Sequence, residues 1–171
     1  MHSNSARRRL LKAGAALAAS AMLAGCGFHL RGPQPLAFST LHVSVSQFSD
    51  LGSAIRRKVE LSGTTTITED ASKAEARLQI LANERGREIL SLTSSGTVRE
   101  YQLTQRIRFR LIDSKNTELI PPTNISGQRE YTFDDEEVLG KEQEETLLYR
   151  DMQADLVQQI MRRLAAYRRP Q

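Results

Sequence analysis

The chain has 171 residues, with 24 Lys and Arg against 20 Asp and Glu, one cysteine and no tryptophan. Four of the basic residues (Arg7, Arg8, Arg9, Lys12) precede Cys26 and no acidic residue does, so the formal charge of +4 falls to zero for a chain that begins at Cys26. A neutral domain without zinc-finger, helix-turn-helix or aromatic RNA-binding motifs excludes nucleic acid as a partner.

The first 25 residues read as a secretory signal, with a basic n-region followed by an apolar stretch from Ala13 to Ala24. Leu23-Ala24-Gly25-Cys26 is a bacterial lipobox, so cleavage leaves 146 residues beginning at Cys26. Its thiol is expected to carry S-diacylglycerol and its amino group an N-acyl chain. Because each buried methylene adds roughly 0.8 kcal/mol, several chains together form a stable anchor. The apolar stretch is about a dozen residues, short of the roughly 20 that cross a bilayer, which argues against a spanning helix. Arg7 to Lys12 fits a twin-arginine signal and an ordinary basic n-region alike. Gly27 stands where aspartate favours inner-membrane retention in the enterobacterial sorting rule, so the outer membrane is the expected location, reached from outside the cytoplasm. With a single cysteine, the mature domain folds without disulfides and is held by packing.

Residues 26–38 mix glycine, proline and isolated apolar residues without period and read as the lipidated N-terminus and an extended lead. Residues 39–169 are expected to form one domain. Leu41, Val43 and Val45 alternate with His42, Ser44 and Ser46, which predicts a strand over 39–46. Asp50 can cap the next helix, whose stripe is Leu51, Ala54, Ile55 and Val59 with Arg56 off it; Gly63 ends it. The β-branched run 64–68 can form a short strand. Ala76, Leu78, Ile80 and Ala82 alternate with polar residues, and the pattern resumes past Gly86, predicting a long strand with a bulge there.

Ser94-Ser95-Gly96 is a hairpin tip, and the returning strand carries Tyr101, Leu103, Ile107, Phe109 and Leu111 on one face. Pro121-Pro122 punctuates the chain before a last strand over 125–133. Asp134 and Glu137 have capping-box spacing. Leu148, Met152, Leu156, Ile160 and Leu164 then recur every fourth residue as the buried stripe of a long helix. The expected fold is α+β, two helices packed on one face of a small, mostly antiparallel (mixed) four-stranded sheet, in one domain.

The chemistry in this pattern is sparse. His2 leaves with the signal, and His29 and His42 have no second ligand nearby, so no metal site is expected. No nucleophile, Walker or dinucleotide motif occurs, and the carboxylates cluster at a helix start, so an enzyme is not expected. Arg106, Arg108 and Arg110 lie on one side of one strand, about 7 Å from one to the next. Such a row serves either as a solvated face that discourages aggregation or as a contact for acidic partner groups or lipid phosphates, which guanidinium pairs with bidentately.

Cys26-Gly27-Phe28-His29-Leu30-Arg31-Gly32 resembles the C-G-[FW]-x-L-R start of the LptE family of LPS-assembly lipoproteins. Gly96, Thr97, Glu100 and Tyr101 of the hairpin, and Phe133, Asp134, Leu139, Gly140, Lys141 and Glu142 before the last helix, agree in order and spacing with it. The resemblance implies a plug seated inside the outer-membrane barrel LptD, assisting lipopolysaccharide assembly at the cell surface. It also implies lipopolysaccharide binding through basic residues near the hairpin tip and at the start of the last helix. Lys141 occupies the second place; at the tip Ser94 and Ser95 stand where the basic residue is expected, and Arg99 is the nearest substitute. A free-standing lipid-binding lipoprotein is the alternative, and it would need an enclosed apolar cavity.

Overall fold

The computed structural model describes residues 35–168, which contain five strands and two helices. The signal, Cys26 and Gly27 to Gln34 lie outside the described residues. In chain order the elements are β1 (Thr40–Val43), α1 (Asp50–Glu60), β2 (Thr66–Ile67), β3 (Ala76–Leu92), β4 (Val98–Asp113), β5 (Glu118–Thr132) and α2 (Val138–Ala166). The sheet order is β2-β1-β3-β4-β5. β1 pairs parallel with β2 and β3, while β3, β4 and β5 pair antiparallel, so the sheet is mixed and its long ladders are antiparallel.

The sheet thus has five strands where four were expected. The fifth is β2, a two-residue strand inside the β-branched run 64–68, a segment able to form a short strand but not counted among the expected four. It exists through backbone bonds to β1 and the chain just before it, from Thr66 N to Ser39 O and from Thr68 N to Leu41 O.

Both helices pack on one face. Leu41 and Val43 of β1, Ala76 and Leu78 of β3, and Ile107, Phe109 and Leu111 of β4 meet Ile55 and Val59 of α1 and Leu156, Ile160 and Leu164 of α2. Each large apolar side chain buried here stabilises the fold by roughly 1.5–3 kcal/mol. Leu36 and Phe38 also belong to this core, and Leu36 N donates to Thr64 Oγ1, so the lead joins the body before residue 39.

Helix α1 is capped by Ser49, whose hydroxyl accepts from Gly52 N at 3.1 Å; Asp50, the expected cap, is the first helical residue. Gly63 follows with φ of 71°, a left-handed conformation that glycine adopts without steric cost. Arg56, expected off the apolar stripe, is only 8% exposed. Its guanidinium donates to the carbonyls of Val43 and Val45, satisfying the end of β1 from the helix.

Two irregularities reshape the long strands. The bulge expected near Gly86 lies between Ile80 and Ala82, with another around Ser91. Ile80 pairs with Phe109 on the core side, but Ala82 pairs with Arg108 and Asn83 with Ile107, so Leu81 is the extra residue and the alternation changes sides there. This is where β1 ends, and Ile80 N bonds Ser44 Oγ at 3.0 Å. On the other edge, β5 begins at Glu118 and runs through Pro121 and Pro122, not from residue 125. An edge strand accommodates them because proline's missing N–H removes no ladder bond on the outer side, and the β4 register is irregular opposite them.

Candidate functional site

The Leu81 bulge places Asn83, Arg85 and Arg87 opposite Ile107, Gln105 and Leu103, on the helix side of the sheet. Polar groups therefore replace the apolar core in the half of the molecule that contains the hairpin tip. Helix α2 meets them with matching chemistry. Arg87 pairs with Glu145 Oε2 at 3.0 Å and lies over the Tyr101 ring, and Tyr131 Oη donates to the same carboxylate at 2.7 Å. Arg85 donates to Gln153 Oε1 at 3.1 Å and lies 5.0 Å from the centre of the Tyr149 ring. Tyr149 Oη donates to the carbonyl of Gly86, in the part of β3 that extends beyond β1.

Burial, reinforced by the Glu145 carboxylate, pushes the Tyr131 hydroxyl up to about 12. The same carboxylate holds the Arg87 guanidinium above its ordinary value. A small apolar cluster of Leu103, Tyr131 and Met152, flanked by Tyr101, Phe133, Leu148 and Tyr149, fills the space between these polar contacts. Gln105, fully buried, lies on this face and donates to Asn83 Oδ1. Its position in the apolar alternation of β4 is visible in the sequence, but its partner is set by the bulge.

The residues expected to contact lipid, Arg99 and Lys141, lie near the start of β4 and in the first turn of α2. Arg99 is exposed, and its carbonyl accepts from Phe133 N at 2.9 Å, bringing the start of β4 against the segment that leads into α2. Ile89, Leu92 and Leu139 are exposed there by 57%, 56% and 77%. Lys141 lies in the first turn of α2, but it does not stand free in water: its ammonium pairs with Glu144 at 2.9 Å and its side chain is 17% exposed. The expected capping box is replaced by a turn in which Asp134 Oδ1 accepts from Glu136 N, and the helix begins at Val138.

The three arginines of the β4 row occupy the sheet face opposite the helices, as alternation predicts, but they differ in engagement. Arg110 is held by Gln79 Oε1 at 2.7 Å and Glu118 Oε1 at 3.4 Å. Arg106 and Arg108 are exposed and make no ion pair with the described residues. Cys26, the lipidation candidate, lies outside the described residues. Among those residues, no group of three His, Cys, Asp or Glu is placed to hold a metal ion, and no helix is long and apolar enough to cross a membrane.

This architecture defines a two-layer α+β domain with one covered and one open sheet face. A family model described as LptE, lipopolysaccharide-assembly, matches residues 38–164. The chain belongs to the LptE family. It is 28% identical over 144 residues to the LPS-assembly lipoprotein LptE of Yersinia enterocolitica, covering 82% of this chain and 69% of the relative. It is also 28% identical over 145 residues to the LptE of Pectobacterium atrosepticum, covering 82% and 77%. Among solved structures, an uncharacterized lipoprotein B from Nitrosomonas europaea superposes with a TM-score of 0.69 at 38% identity, covering 82% of this chain and 92% of that one. The minor lipoprotein of Acinetobacter baumannii gives 0.61 at 26% identity, covering 80% and 100%.

Proposed function

We propose that the protein is a non-enzymatic outer-membrane lipoprotein, anchored through acylated Cys26, that plugs and stabilises the LptD barrel and assists lipopolysaccharide assembly at the cell surface. Family membership supports the assembly role, and the hairpin end is the observation that carries lipid contact. Exposed Ile89, Leu92 and Leu139 lie toward the same end as exposed Arg99, with Lys141 paired to Glu144 at the start of α2. Apolar contact is thus combined with the Arg99 charge and with a lysine that a phosphate could draw from its carboxylate. A lipid with phosphorylated sugars and acyl chains presents both complements. The open sheet face, with Arg106 and Arg108 unpaired among described residues, is the surface proposed to meet acidic groups of the barrel. A free-standing lipid carrier calls for an enclosed apolar cavity, whereas two clefts formed by described residues beside α1 and α2 are lined mainly by polar and charged side chains.

The pairing of Lys141 with Glu144 makes charge reversal a poor probe, since an aspartate would repel its neighbour. The double variant Arg99→Gln, Lys141→Gln is expected to reduce capture on immobilised lipopolysaccharide while circular dichroism stays unchanged. Full capture by a folded double variant would contradict the lipid site. Cys26→Ser is expected to accumulate unprocessed precursor that carries no lipid; normal processing and membrane fractionation would contradict the anchor.

A further inference from the structure

Between α1 and α2, a cleft of about 290 Å³ is lined by Arg57, Arg85 and Arg150 with Asp50 and Gln153. A second cleft of about 320 Å³ shares Asp50, Arg85 and Gln153 and continues toward Asn83 and the turn at Ser46. The three arginines come from three elements. Arg57 projects from α1, Arg150 from α2, and Arg85 is brought to the helix side of β3 by the Leu81 bulge.

Arg85 donates to the side-chain Oε1 of Gln153 and lies against the Tyr149 ring. Gln153 is itself only 7% exposed, and its amide nitrogen makes no hydrogen bond with the described residues. Arg57 and Arg150 are exposed and likewise pair with no carboxylate among the described residues. Asp50 is the opposing charge, so the lining carries three positive groups and one negative. A net charge of two suits a dianion better than a single carboxylate, and guanidinium forks pair bidentately with phosphate oxygens.

We propose that this cleft binds a phosphate monoester, held by Arg57, Arg85, Arg150 and the Gln153 amide. Its volume lies at the lower limit of ligand pockets, enough for a phosphorylated head group and too small for a folded peptide segment. The proposal is separate from the lipopolysaccharide reading of the hairpin end: Arg150 follows Lys141 by nine residues, about 14 Å along α2.

The test uses the full-length lipoprotein in neutral detergent at mildly alkaline pH. Calorimetric titration with inorganic phosphate forms one arm and dodecyl phosphate in mixed micelles the other, with acetate as the monoanion control. Binding in both arms identifies the phosphate group itself as sufficient; binding of dodecyl phosphate alone identifies a lipid head group. In either case Arg57→Gln with Arg150→Gln is expected to weaken binding by about tenfold or more, since both lose charge-assisted hydrogen bonds. Asp50→Asn is expected to tighten it, and acetate to bind far more weakly. Absence of binding in both arms, equal binding of acetate, full binding by a folded double variant, or an unaffected Asp50→Asn would each overturn the proposal.

Discussion

The two halves of the domain solve the same packing problem by different means. In the body, where β1 still pairs with β3, the sheet and both helices meet through side chains such as Leu41, Leu78, Phe109, Leu156 and Ile160, all with no exposure. In the arm, beyond Leu81, only Leu103 and Met152 reach that state alongside Gln105, and the remaining contact is made by Arg85, Arg87, Glu145, Tyr131 and Tyr149. Apolar burial is non-directional and tolerates little water, whereas the arm's contacts require particular partners and sit close to solvent. The body is therefore expected to supply most of the stability, and the arm to open first.

The largest effect should come from the body. Phe109→Ala is expected to cost about 3–5 kcal/mol and to lower the denaturation midpoint of the whole domain, because the cavity lies where the sheet and α2 meet. Leu103→Ala or Met152→Ala in the arm should cost about 2–3 kcal/mol, toward the lower end for such truncations. Hydrogen exchange distinguishes the two sites: the arm variants should lose protection over 98–104 while 76–80 stay protected. Equal loss in both segments would mean that the domain opens as one unit.

Smaller changes test the arm's polar layer. Glu145→Gln removes the ion pair with half-exposed Arg87 and weakens the acceptor of Tyr131, which should cost about 1 kcal/mol in denaturant titration. It should also lower the Tyr131 titration midpoint from about 12, since the carboxylate helps to hold the phenol neutral. A tyrosine whose value is raised on folding favours the folded state only while protonated. That contribution is complete below pH about 10, the ordinary phenol value, and is lost as pH rises toward about 12. Alkaline unfolding followed by tyrosine absorbance should therefore begin in the arm, and Tyr131→Phe should remove that component.

Element order was legible because most elements keep one face buried over several residues. The β1 alternation, the Leu148 to Leu164 stripe and the hairpin tip with Gly96 at φ of 85° all follow from local pattern. The rest depends on partners distant in sequence. Leu81 is no better a bulge residue than its neighbours, and the slip falls just past the last β1–β3 pair, Val43 with Leu78, a position set by pairing and not by local pattern. Pro121-Pro122 reads as an interruption unless β5 is known to be an edge. Arg56 looks like a surface residue until the carbonyls of Val43 and Val45 are found beside it. Similarly, the arginine row was visible in alternation, but its division into engaged Arg110 and unpaired Arg106 and Arg108 required Gln79 and Glu118 from neighbouring strands.

The smallest effect on stability is expected on the open face: Arg106→Glu and Arg108→Glu should each change it by less than about 0.5 kcal/mol, while Arg110→Glu should cost more because its two partners are carried by other strands. The proposed barrel contact requires the opposite order of consequences in the cell, where this face matters most. Photo-crosslinking probes at positions 106 and 108 in living cells, beside probes at Asp151 and Gln158 on the outer side of α2, test that directly. Capture of the LptD barrel from 106 and 108 is the expected result. Barrel capture from the α2 probes with none from the β4 positions would contradict docking through the open sheet face.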